Sequence, residues 1–150
     1  AEIVSRNDLS PQWNRDIGFR ALRVDSTGWA DVLESPEVLA QSSLLGAVES
    51  LKGDRSGEDL LFQVLLGWGL ELSLPIAPEE VDGHEVFAVD DDAPIACFAE
   101  SVTPEVVGAI AARGPLRAVF RDDAFESDAA RINAEQVFRE VSPATEVRTI

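Results

Sequence analysis

The stretch from Pro94 to Ile150, PIACFAESVTPEVVGAIAARGPLRAVFRDDAFESDAARINAEQVFREVSPATEVRTI, decides the fold. It opens on an apolar run, Pro94 to Ala99, in which Ile95, Cys97 and Phe98 suit a buried strand. A helix start follows: Thr103 as N-cap, Pro104 at the first helical position and Glu105 in the first turn. Arg113, Gly114 and Pro115 mark its stop. Leu116 to Phe120 is a second apolar run. Ser127 then caps a helix that places Ala130, Ala134, Val137, Phe138 and Val141 on one face, and Thr145 to Ile150 reads as a last strand. Strand, helix, strand, helix, strand favours parallel strands joined by right-handed crossovers.

Working outward, Glu85 to Val89, the turn Asp90, Asp91 and Asp92, and then Pro94 to Ala99 form a plausible hairpin. Ser56 can cap a helix carrying Leu60, Leu61, Val64, Leu65 and Trp68, ended by Gly67 and Gly69. That helix is apolar over more than one face, as expected of one buried or pressed against a partner. Phe19, Leu22 and Val24, with Arg20 and Arg23 between them, read as a strand closed by Asp25, Ser26 and Gly28. Trp29 to Ser56 gives only short helical signals interrupted by Pro36, Gly46 and Gly53. The sequence therefore predicts an α/β domain over residues 18 to 150: a mixed, mostly parallel sheet with flanking helices and one β-hairpin. Residues 1 to 17 are read as a lead-in.

The chain has 150 residues, 45% of them hydrophobic, enough for one core. Twenty-eight acidic residues against twelve basic ones give a net charge of -16, which opposes wrapping a phosphate backbone. Solvation accounts for this acidity more simply than a dedicated basic partner. A single cysteine excludes an internal disulfide. With no secretory signal and no long apolar run, a soluble cytoplasmic protein is expected. The chain contains no methionine and starts at Ala1, which favours a piece of something longer.

No complete active site can be read in these residues. His84, the one histidine, stands in a turn with no nucleophile beside it, and Cys97 reads as a small core residue. Sequences that cradle phosphate, GxGxxG after a strand or GxxxxGK[ST], are absent. Arg113, Arg117, Arg121, Arg131 and Arg139 are interleaved with acids, a solvated surface more than a nucleic-acid stripe. Asp122 and Asp123 fall just past a strand's carboxyl end, where ligands gather in open α/β sheets, so a magnesium site there is one reading. A phosphoacceptor domain would also need a lysine after a later strand, and the one lysine is Lys52. Trp13, Trp29 and Trp68 are candidate interface anchors, with service in the domain's own core as the competing reading, above all for Trp68.

Segment by segment, the chain resembles the C-terminal part of the methylation (Mod) subunits of type III restriction-modification systems, which are site-specific adenine-N6 DNA methyltransferases. The blocks that carry the likeness are GFRALRVDS (Gly18 to Ser26), LLFQVLLGWGLELSLPI (Leu60 to Ile76), the hairpin Val86 to Ala99, and Leu116 to Ile150, including FRDDAFESDAARINAEQVFRE and TEVRTI. The family's DPPY-type motif, which holds the target amine, and its FxGxG-type loop, which binds S-adenosylmethionine, are both missing. No catalytic or cofactor residue can therefore be carried over to this chain. The resemblance implies a parent enzyme that flips and methylates adenine, with this piece as its tail. Partners would be the rest of the Mod subunit, a second Mod and the restriction (Res) subunit, with DNA reached through the parent. A free-standing domain binding a ligand or magnesium at Asp122 and Asp123 is the alternative, and direct DNA contact through local arginines a third.

Overall fold

The computed structural model describes residues 20–29 and 51–150. Its nine elements are α1 (Gly57–Gly67), β1 (Ile76–Val81), β2 (His84–Val89), β3 (Pro94–Cys97), α2 (Pro104–Arg113), β4 (Arg117–Phe120), a 3-10 turn (Asp122–Ala124), α3 (Asp128–Val141) and β5 (Glu146–Thr149). The strands form one sheet in the order β1-β2-β3-β4-β5. The first two pairings are antiparallel and the last two parallel. The protein is thus α/β with a mixed sheet, although parallel pairing is half of it and not the larger part.

Local chemistry places the parallel half where its sequence does. Thr103 Oγ1 accepts from the Val106 N–H, Pro104 begins the helix, and Gly114 takes the left-handed conformation at φ 66 that glycine adopts without steric cost. Ser127 accepts from the Ala130 N–H at the start of α3. Since β3, β4 and β5 are neighbours, both right-handed crossovers carry their helices to the same face. There Val106, Ile110, Ala134 and Phe138 pack on Val86, Ile95, Ala118 and Phe120. Phe120 meets Phe138 edge-on at 6.0 Å, within the range in which such pairs add to burial.

The antiparallel half is a three-strand meander, one strand more than the hairpin expected. The extra strand, β1, is largely exposed, shows no alternation of apolar and polar residues and contains Pro78, so periodicity hides it. It lies at the sheet edge, where a proline's missing N–H costs no ladder bond. Asp82 and Gly83, at φ 50 and 77, supply the positive-φ pair that a two-residue hairpin turn needs. Asp90, Asp91 and Asp92 all have positive φ at the next turn, a conformation Asp tolerates better than most residues. Arg113 closes this end of the sheet: its Nε donates to Asp92 at 2.9 Å and another guanidinium nitrogen to Glu79 at 2.7 Å. These two carboxylates hold its pKa above the ordinary arginine value.

The expected strand around Phe19 to Val24 is a correction. Phe19 lies outside the described residues, and Arg20 to Thr27 join no strand, with Val24 99% exposed. Instead of meeting a sheet edge, this segment runs along α1 and is held by side chains: Arg55 donates to the Ser26 carbonyl and hydroxyl, and Lys52 to the same hydroxyl. Among the described residues of this segment, Trp29 alone makes a bridge, to Leu51. Most of the weakly patterned stretch after Trp29, and the whole lead-in 1 to 17, lie outside the described residues. No described helix is long and apolar enough to cross a membrane.

Candidate functional site

The second face of the sheet is covered by α1. A capping box starts that helix: Ser56 Oγ accepts from the Asp59 N–H, while the Asp59 carboxylate accepts from the Ser56 N–H at 3.0 Å. The Ser56 hydroxyl also donates to that carboxylate at 2.7 Å, and this bond first, with the Ser56 N–H second, holds the Asp59 carboxyl below its usual range. Leu60, Leu61, Val64 and Leu65 are buried against Phe87, Val89, Ala96 and Val119. Leu66, next along, is 63% exposed, which is the sequence's all-round apolar helix meeting a one-sided sheet.

Arg20 to Gly28 lie beside this exposed flank. The Gly28 N–H donates to Gln63 Oε1 at 2.6 Å, and a Cβ at Gly28 would come within 2.8 Å of that oxygen and 3.2 Å of Leu60. A larger residue here would have to push the Gln63 side chain aside and with it this hydrogen bond. At the other end, Arg20 donates to the carbonyls of Leu72 and Leu74 at 2.8 and 2.7 Å and lies 6.0 Å from the Phe62 ring centre. Between segment and helix runs a groove of about 770 Å³ whose apolar lining includes Leu22, Phe62, Leu66 and Leu72. One rim is charged: Asp25 faces Arg23 and Arg55, and its pKa is lowered by the Ser26 N–H first and then by these arginines. Such a site holds apolar side chains and offers polar groups at its edge.

Of the predicted anchors, Trp29 and Trp68 are among the described residues. Trp29 is 41% exposed on the bridge to Leu51. Trp68 packs on the core of this face with Arg117 5.1 Å from its ring centre, the core role expected of it before the other two. Trp13 lies outside the described residues. Exposed Leu22 and Leu66 are what sequence reading missed, since nothing in an apolar period says which of its leucines the sheet leaves bare.

Asp122 and Asp123 do stand at the carboxyl end of β4, in the 3-10 turn. Each already has a cation: Asp123 receives two bonds from Arg121 at 2.8 and 2.6 Å, and Asp122 one from Arg131 at 2.9 Å. The Arg121 pairing holds Asp123 below the usual carboxylate range. A metal would have to compete with these guanidinium groups, and among the described residues no cluster of three or more His, Cys, Asp or Glu is arranged to hold one. His84 Nδ1 lies 2.8 Å from the Asp82 carbonyl, a turn contact. Cys97 is buried in the α2/α3 core, and that burial pushes its thiol pKa up.

The arginines of the second half are all engaged with carboxylates: Arg113 with Asp92 and Glu79, Arg117 and Arg148 with Glu146, Arg121 with Asp123, Arg131 with Asp122, and Arg139 with Glu135. A phosphate contact would break a pair at each. No family model, no curated protein and no solved structure matches the chain.

Proposed function

We propose that this chain is the non-catalytic C-terminal domain of a type III Mod subunit, and that it serves assembly by docking on the rest of that subunit, on a second Mod or on the Res subunit. The parent would be an S-adenosylmethionine-dependent adenine methyltransferase working in the bacterial cytoplasm, with cofactor and target-base sites elsewhere in it. The observation that supports docking is the groove beside α1, where Leu22 and Leu66 are more than half exposed next to each other's elements. A continuous apolar groove with a polar rim has the anatomy of a protein contact. The parent's identity rests on the order of the four sequence blocks, and residues 21–26 of the GFRALRVDS block line that groove without being a strand.

The genomic reading frame upstream of Ala1 tests the parent. A frame carrying DPPY-type and FxGxG-type motifs is expected; one that stops at once sinks the methyltransferase reading. The competing magnesium reading is supported only by where Asp122 and Asp123 stand. It predicts that magnesium raises the melting temperature and that Asp123→Asn abolishes the rise, and the two arginine pairings argue for no response.

A further inference from the structure

Among the described residues the sheet has two outer strands, and they differ. β1 carries Pro78 and Glu80 and is a poor template for further pairing. β5, with the sequence Glu146-Val147-Arg148-Thr149, has no proline, and among the described residues it pairs with β4 alone. The Glu146 N–H donates to the Leu116 carbonyl and the Ile150 N–H to the Phe120 carbonyl, so residues 146, 148 and 150 turn their backbone toward β4. By the alternation of a strand, Val147 and Thr149 turn theirs to the open side.

The geometry points to this edge as the pairing surface for a second copy of the chain, β5 against β5 in antiparallel fashion about a two-fold axis at Val147. The inference deepens the assembly part of the proposed function by naming a surface and a partner. It does not depend on the methyltransferase parent: an upstream frame without the motifs would sink that parent and leave this pairing standing, and a monomer would do the reverse.

The register follows from charge. With the axis at Val147, the two Val147 residues exchange reciprocal N–H to carbonyl bonds. Glu146 of each copy then faces Arg148 of the other in the close, non-hydrogen-bonded position, where side chains approach most nearly. Shifting the axis to residue 146 sets Glu146 against its own image, and shifting it to 148 sets Arg148 against its image. Both alternatives place like charges directly opposite, so only one register is self-complementary. Glu146 and Arg148 lie on the α1 face beside Arg117, which already bonds Glu146 at 3.2 Å. Pairing would extend this row into a ladder of alternating charge across the axis. Two copies of net charge -16 repel at long range, a repulsion screened beyond about 8 Å at physiological salt, so association should strengthen when salt is raised from very low levels.

Sedimentation velocity on the intact chain over a concentration series, with circular dichroism to check folding, tests this. The wild type is expected to dimerise. E146R and R148E should each be folded and monomeric, weakened by more than about tenfold, since each turns two cross-strand pairs into like-charge pairs. An equimolar mixture of the two variants should dimerise again, because each supplies the charge the other lacks. Val147→Pro, which removes the outward N–H and leaves the β4 ladder intact, should be folded and monomeric. A wild type that stays monomeric throughout, single variants that dimerise as well as it does, or a mixture that fails to recover the dimer would each overturn the pairing.

Discussion

On one face of the sheet α2 and α3 cover the parallel strands, and the buried residues there run without interruption from Val86 through Ile110 and Phe120 to Phe138. On the other, α1 is the only described helix, flanked by a segment that makes no strand and touches it through Gly28, Arg20 and a few polar bonds. The first face closes on itself, because each crossover delivers a helix directly over the strands it joins. The second leaves Leu22, Trp29 and Leu66 exposed. Exposed apolar side chains occur on both sides, Ile132 and Val141 on α3 as well as Leu66 on α1, but the groove lies on the α1 side. Substitutions on the two sides should separate folding from assembly.

The largest effect belongs to the closed face. Phe138→Ala, at 1% exposure, should cost about 3–5 kcal/mol through lost burial and a cavity beneath Phe120, read as a fall in the urea midpoint. A loss below 1 kcal/mol would mean the α2/α3 core is not the dominant one. Next comes the clamp joining the meander to α2. Arg113→Ala removes bonds to Asp92 and Glu79, and because all three side chains are partly exposed the loss should be about 1–2 kcal/mol. Equal stability in the variant would show that the clamp is only a surface pair.

Smaller again is the start of α1, where Ser56→Ala should cost about 1 kcal/mol by removing the cap. Acid should act at the same place. Asp59 is held low when folded, so its contribution is present above about pH 4, the unfolded value, and is lost as pH falls further through the folded value. Denaturation curves at descending pH should therefore fall less steeply for Asp59→Asn than for the wild type. The smallest stability effect sharpens the comparison most. Leu66→Asp should change stability by no more than about 0.5 kcal/mol, since Leu66 is 63% exposed, yet weaken binding to the assembly partner by more than about tenfold. Unchanged binding with unchanged stability would remove the groove from the assembly reading.

How far the sequence could be read differs along the chain for physical reasons. The second half was legible to within a residue or two because its punctuation is local: Thr103 and Ser127 cap, Gly114 stops, and the apolar residues keep their periods. The three aspartates at 90 to 92 read as a turn for the same reason. β1 stayed hidden because an edge strand needs neither an apolar period nor all its N–H groups, and Pro78 argues against a strand anywhere but at an edge. GFRALRVDS failed in the opposite way: its alternation suits a strand, but Arg20 to Thr27 find no strand to pair with, and a strand without a neighbour has no ladder. The candidate site was legible only as a helix too apolar for one face. Which leucine would be left exposed, and that Gly28 would bring a second segment alongside it, depends on contacts 35 residues apart.

By itself, then, the sequence determined the helices, their caps, the α/β class and the exclusion of standard phosphate loops, since these rest on interactions within a few residues and on composition. Only the tertiary structure decided that half of the sheet is antiparallel, that Asp122 and Asp123 are each met by an arginine, and that β5, among the described residues, pairs with β4 alone. Strand neighbours, ion-pair partners and exposed edges are properties of which distant segments meet, and no local pattern encodes them.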